Sequence, residues 1–314
     1  MADTVRSQRP LCVISGGTSG IGLATGKMLL ARGYDLVLIG HSAARGRAAL
    51  QELQTGDGDV QWLQADLASQ SSVRELAGEL AARCDRINVL VNCAGVVEPE
   101  LRRSPEGVER SWAINHLAPF MLTNLLVPQL RRGKPARVVV VSSQVHAERL
   151  NVSDLDGGEP YFGLETYRGT KLANILFTRA LAGKLDKREV SVNCLHPGVV
   201  ATSLLSSYTR AQQLEAEAIA NGSFPVPQAS RGLLGRLLRR VRGRRPAFDT
   251  SMSTVLEAAE RLVFLVISDE VSDVSGQYFA QNQIVTPAPI ALDEGLAQEL
   301  WQASEARTGV QFAL

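Results

Sequence analysis

Tyr167 and Lys171 stand four residues apart in YRGTK (167–171), a spacing that puts both on one helix face. An ammonium beside a phenol favours the phenolate and lowers the phenol pKa from about 10. Such a pair can pass a proton to and from a carbonyl or an alcohol. Tyr161 is the rival phenol, but position 165 is Glu, so it lacks the ammonium. A Tyr–Lys pair at this spacing is common, so its companions decide. Ser142 and Ser143 close the apolar run ARVVVV (136–141), where a hydroxyl can bond a substrate oxygen. Asn92, Cys93, Ala94 and Gly95 end or follow INVLVN (87–92), at the same expected sheet edge. Asn115 lies in the apolar stretch WAINHLAPF, where an amide is costly unless bonded. A helix cap or a satisfied core amide would read the same way.

A second group could hold phosphate. SGGTSGIG (15–22) directly follows the run LCVIS and opens a helical pattern. Gly16, Gly20 and Gly22 allow a tight turn and close approach of a pyrophosphate to the main chain. The helix start that follows, with Thr18, Ser19 and Ile21, offers free N–H groups and a favourable dipole. A turn that binds nothing is the plain alternative. The acid that would hold an adenosine ribose is expected at the end of the second strand, yet that place reads IGHSAARGR. It offers Gly40 and His41, with Arg45 and Arg47 close behind. Without a carboxylate to repel a 2′-phosphate, NADP is favoured over NAD; arginines that merely solvate a helix are the alternative.

The elements that must position these groups alternate along the chain. Apolar runs at 11–15, 34–40, 60–66, 87–92, 136–141 and 190–195 read as strands, with a short last strand at 275–279. Helical patterns separate them, including a long one over 164–186. Strands buried on both faces read as continuous apolar runs, and intervening helices force parallel crossovers. The expected fold is α/β, a Rossmann-type doubly wound parallel sheet in a single domain over 1–314. Residues 203–250 read as an irregular insertion, rich in Gly, Pro and Arg, that would act as a substrate lid.

Composition narrows the class. The 33 Lys and Arg against 32 Asp and Glu give a net charge of +1, so no global field draws the chain onto nucleic acid. Cys12, Cys84, Cys93 and Cys194 show neither a CxxC nor metal-ligand spacing. Reduced thiols in a cytoplasmic protein are the simplest expectation, and the chemistry needs no metal. No secretory signal or membrane-spanning run is visible. The stretch RGLLGRLLRRVRGRR (231–245) interleaves seven arginines with leucines. It reads either as a solvated cover of the cleft or as a peripheral membrane contact.

In order and spacing, SGGTSGIG, the Asp66–Leu67 pair, NCAG, Asn115, SS, YRGTK and HPGVVAT (196–202) resemble the short-chain dehydrogenase/reductase family over nearly the whole chain. The resemblance implies a catalytic tetrad of Asn115, Ser143, Tyr167 and Lys171, with Ser142 as the fallback serine. Lys171 would also hold the nicotinamide ribose, and Asn115 a water linking Lys171 to solvent. Asp66 would face the adenine amino group. Pro197, Gly198, Val199 and Thr202 would surround the nicotinamide. Ser15 and Cys93 depart from the usual Thr and Asn without removing a catalytic group. SSQVH (142–146), YRGTKLANILFTRALA and SGQYF look like the retinol dehydrogenase-like branch. Many membrane-associated members begin with an apolar anchor; this chain does not. The implied substrate is a bulky hydrophobic ketone, aldehyde or alcohol, retinoid-, steroid- or aromatic polyketide-like. His146 would contact it or serve the fold. A homo-oligomer through the long helices is the family habit. The rival functions are an inactive nucleotide-binding regulator and a membrane-surface enzyme acting on lipids.

Overall fold

Alternation along the strands divides the core in two. In the computed structural model, which describes residues 9–54, 58–153, 155–158, 160–220 and 251–312, β1 (Leu11–Ser15) sends Val13 to one face and Cys12 and Ile14 to the other. β2 (Asp35–Gly40) does the same with Val37 and Ile39 against Leu36 and Leu38. β5 (Ala136–Val141) follows with Val138 and Val140 against Val139 and Val141. Both side-chain sets are apolar because both faces are covered, which is why these strands read as unbroken apolar runs.

With β3 (Val60–Gln64), β4 (Val89–Asn92), β6 (Val190–His196), β9 (Tyr278–Ala280) and β10 (Gln283–Ile284), the sheet runs β10-β9-β6-β5-β4-β1-β2-β3. Every pairing is parallel except β9 with β10. The order reverses between β1 and β4, so a crevice opens at the carboxyl ends of these two strands. A separate two-residue pair, β7 (Val199–Val200) with β8 (Met252–Ser253), lies beyond β6.

On one face pack α1 (Gly20–Leu30), α2 (Ala43–Leu53) and a later helix, Val255–Ile267, designated α9. On the other lie α3 (Gln70–Arg83), the chain from α4 (Arg110–Trp112) through a π-helical turn (Ala113–Leu117) to α5 (Ala118–Leu125), α6 (Val127–Arg132), α7 (Gly163–Lys184) and α10 (Glu294–Thr308). Buried His116 bonds Ser304 at 2.9 Å and so ties the π-helical turn to α10.

Two expectations shift. The strand expected at 275–279 is Tyr278–Ala280, because Ser275 and Gln277 form hydrogen bonds that fasten the preceding turn to β6, and the short strand β10 follows it. The first part of 203–250 is not irregular: Ser203–Ala220 forms an 18-residue helix, α8. Its face carrying Leu204, Tyr208 and Ala211 packs apolar surface. The FPVPQ segment and the basic stretch 231–245 lie outside the described residues.

Candidate active site

The ends of the strands bring the two groups of residues together. Ser15 is level with Ile39 on one side and with Asn92 on the other, while Val141 is level with Leu195. The glycine turn, NCAG, the two serines and HPG therefore emerge along one edge.

At the glycine turn, Gly16 has φ +71°, and a Cβ there would lie 2.9 Å from the Ala94 main chain. The Ser15 hydroxyl accepts N–H bonds from Cys93 and Ala94 at 3.1 and 3.3 Å. Ser15 thus fixes the NCAG loop against the glycine turn. Ser19 caps α1 in extended conformation without a side-chain bond, and the first helical turn has no acid. Gly20 faces open space, with Thr202 Cγ2 3.8 Å from where its Cβ would stand. A Cβ on Gly22 would sit 2.3 Å from the Gly16 carbonyl oxygen. A cradle of main-chain N–H groups cleared of side chains fits a pyrophosphate.

Farther along, His41 and Arg45 are exposed at the end of β2, their nitrogens 3.0 Å apart. Thr18 packs directly on Gly40, whose Cβ would fall 2.4 Å from Thr18 Oγ1. The absence of a side chain at position 40 therefore serves packing as well as charge. Asp66 is exposed after β3 and accepts the Ala68 N–H at 3.0 Å. Leu67 is half-buried. Asn92 is buried and donates to Thr123 Oγ1 at 3.0 Å.

At the other end of the edge, α7 carries Tyr167 and Lys171 inward. The Ser143 hydroxyl bonds the Tyr167 phenol. Ser142 donates instead to the Lys171 carbonyl at 2.7 Å and is committed to holding α7. Lys171 Nζ donates to the Val141 carbonyl at 3.1 Å and lies 5.5 Å from the Tyr167 ring centroid. Both side chains are almost wholly buried. The charge balance differs from expectation. Burial pulls Lys171 down to about 8, with nearby Cys93 opposing, and lifts the Tyr167 phenol above its ordinary value. Desolvation penalises both charged forms and outweighs the Ser143 bond, so Tyr167 holds its proton at neutral pH.

Asn115 occupies the π-helical turn, fully buried. Its amide accepts from the Val96 N–H at 2.8 Å and donates to the Val96 carbonyl at 2.9 Å and to Thr170 Oγ1 at 3.1 Å. A Cβ on Gly95 would lie 3.5 Å from Lys171 Nζ and 3.6 Å from Asn115 Oδ1, so amide, ammonium and NCAG loop meet at one place. A π-turn at such a place re-aims one side chain without breaking the helix.

Two side chains are committed to other partners. Tyr161 is no rival: its hydroxyl has acceptors in Glu109 at 2.8 Å and the Glu98 carbonyl at 3.0 Å, away from Lys171. His146 is held at both ring nitrogens, by the Ser143 carbonyl at 2.8 Å and the Ala288 N–H at 2.9 Å. It serves the fold, with neither nitrogen left to face substrate.

Three contributors escaped the sequence. Arg261 on α9 bonds the Pro197 carbonyl at 2.6 Å and Ser253 Oγ at 3.1 Å, bracing the turn through Pro197, Gly198 and Val199. Its only signal was that it is the one basic residue of an otherwise largely apolar helix. Tyr208 on α8 meets the Tyr167 ring edge-on at 5.9 Å. Glu215, also on α8, accepts the first N–H groups of α7. Nothing in the sequence flagged these two.

Residues 11–213 match the short chain dehydrogenase family model. The chain belongs to the short-chain dehydrogenase/reductase family. It falls in the retinol dehydrogenase-like branch and is an oxidoreductase acting on CH–OH and C=O groups. Mouse retinol dehydrogenase 14 is 34% identical over 311 residues, covering 95% of this chain and 85% of that one. Among solved structures of the fold, an uncharacterised protein from Mycobacterium paratuberculosis superposes with a TM-score of 0.71 at 26% identity, covering 98% of this chain and 96% of that one. A short chain dehydrogenase from Burkholderia cenocepacia, in complex with NADP, gives 0.60 at 21% identity over 86% of this chain and 95% of its own. Among the described residues of this dehydrogenase, no helix is long and apolar enough to cross a membrane.

Proposed function

We propose that this chain is an NADP(H)-dependent reductase and dehydrogenase that interconverts a ketone or aldehyde with an alcohol on a bulky hydrophobic substrate, with Tyr167 as acid/base. The observation that carries this reading is the bond between Ser143 and Tyr167 beside Lys171, with the Tyr167 ring packed in one apolar cluster with Val97, Leu164, Ala211 and Tyr208. The apolar wall supports a retinoid-, steroid- or aromatic polyketide-like substrate over a small polar one. Exposed Arg45 beside His41, with no acid at the end of β2, supports NADP over NAD.

The dinucleotide supplies or takes the hydride when bound. Gly16, Thr18, Ser19, Gly20, Ile21 and Gly22 would hold its pyrophosphate. Asp66 and Leu67 would border its adenine, and Asn92, Ala94 and Gly95 its nicotinamide half. Pro197, Gly198, Val199 and Thr202 would border the same half from the other side. Ser143 and Tyr167 hold the substrate oxygen between two hydroxyls. Tyr167 enters loaded with its proton and donates it to that oxygen in reduction; in oxidation it must first lose it. Lys171 keeps a positive charge near the phenol and would bond the nicotinamide ribose. Asn115 fixes the Val96 loop to α7, so Lys171 and Gly95 keep their spacing, and would hold the water that links Lys171 to solvent.

Unpaired Cys12, Cys84, Cys93 and Cys194 support a cytoplasmic setting, and family habit supports a homo-oligomer. The test is a panel of ketones, aldehydes and alcohols with both dinucleotides, followed at the nicotinamide absorbance. Turnover of bulky apolar carbonyls with NADPH is expected. Turnover of none, or preference for NADH, overturns the corresponding part.

A further inference from the structure

The catalytic helix begins without a cap of its own. Phe162, at the N-cap of α7, has no side chain to receive the first N–H groups, and a helix start leaves these donors unpaired. Glu215 fills the role from another element. Its Oε1 accepts the Leu164 N–H at 2.8 Å and the Glu165 N–H at 3.1 Å. A carboxylate there also meets the positive end of the helix dipole. Two turns earlier on α8, Tyr208 meets the ring of Tyr167, and Ala211 between them is buried against it. One helix therefore carries both the cap of α7 and the cover of its reactive phenol. Beneath the outer part of α8 lies a cavity of about 240 Å³ lined by Pro99, Leu101, Phe162, Leu214, Glu215 and Ala218. Apolar packing there leaves space beside Glu215.

We propose that Glu215 is a positioning residue: by capping α7 from α8 it sets the height of Tyr208 above Tyr167, and so the fit of the substrate, without touching the reacting atoms. This rests on the activity proposed above, but the clasp has its own readout. Removing the carboxylate frees two amide donors and one end of α8, while Ser143, Tyr167 and Lys171 keep their contacts. The consequence falls on binding of a large substrate rather than on proton transfer.

The experiment compares wild type, Glu215→Ala and Glu215→Gln, the last keeping an acceptor oxygen while losing the charge. Hydrogen exchange is read at residues 164–166 and 204–211, and KM and kcat are measured with one bulky and one small ketone. For Glu215→Ala, faster exchange in both segments is expected, with KM for the bulky ketone raised about fivefold and kcat within about twofold, the scale of losing charge-assisted hydrogen bonds at a cap. Glu215→Gln should recover part of both effects, which a general loss of packing would not. Wild-type exchange and KM in Glu215→Ala overturn the clasp, as does a fall in kcat with KM unchanged. If wild type turns over no carbonyl, exchange still decides the clasp and only the proposed activity falls.

Discussion

The turn between β1 and α1 is made of main chain, whereas the wall over Tyr167 is made of side chains from two helices. At the turn, specificity lies in what is missing: no Cβ at Gly16 or Gly22, no acid in the first turn of α1. At the wall it lies in which side chain arrives from α8, here Tyr208 and Glu215. A main-chain site tolerates almost no substitution. A side-chain site can be retuned without disturbing the sheet. This is how one frame can keep its cofactor and change its substrate, and each of the following variants should separate the two halves.

Tyr167→Phe should give the largest effect. It removes the proposed proton donor and the Ser143 bond while leaving the glycine turn untouched. Turnover should fall about 10²–10⁴-fold, with dinucleotide affinity, measured by fluorescence titration, near wild type. Activity within threefold of wild type would remove Tyr167 from the chemistry.

Gly22→Ala should act in the opposite sense. Its added carbon falls 2.3 Å from the Gly16 carbonyl oxygen, and main chain cannot yield cheaply. A cost of about 1–3 kcal/mol in stability is expected, together with dinucleotide affinity weakened about tenfold or more. A melting temperature and Kd equal to wild type would mean that the turn is looser than its geometry. His41→Asp should be milder still, shifting the NADPH/NADH ratio of kcat/KM about tenfold toward NADH, one charge-assisted bond's worth. Position 41 is the cleaner test, since a side chain at 40 must first displace Thr18. An unchanged ratio would place the adenosine ribose elsewhere.

The same contrast explains what the sequence could disclose. The sheet was legible because strands buried on both faces leave unbroken apolar runs, and the glycine turn because it is written in glycines. Ser143 could be preferred over Ser142 through family pattern alone; the physical reason is that Ser142 is spent on the Lys171 carbonyl. The reversed charge balance of Tyr167 was hidden, because burial under α8 depends on a helix that composition made look irregular. Glu215 was hidden for the same reason: a cap supplied from 50 residues away leaves no local motif. The C-terminal helix α10 carries a readable start signal in its cap, Asp293 accepting from Leu296.

Tyr208→Ala should give the smallest effect and the sharpest comparison. An edge-on aromatic pair contributes about 0.5–1.5 kcal/mol beyond area, so KM for a bulky aromatic ketone should rise about threefold while that for a small ketone stays level or falls. The proton chemistry should also move. Burial is the main cause of the raised Tyr167 pKa, with Tyr208 adding to it and Ser143 opposing. Opening the wall lets water reach the phenol and removes a neighbour that disfavours its charged form, so the folded-state pKa of Tyr167 must come down. In the proposed mechanism oxidation requires the deprotonated phenol, so its rate climbs as pH rises through that pKa. In Tyr208→Ala this climb should begin at lower pH than in wild type, with the NADPH Kd unchanged. A rise at the same pH would mean that α8 shapes the cleft without setting the proton affinity of Tyr167. A rise displaced to higher pH would mean that the ring of Tyr208 stabilises the phenolate, the reverse of the balance described here.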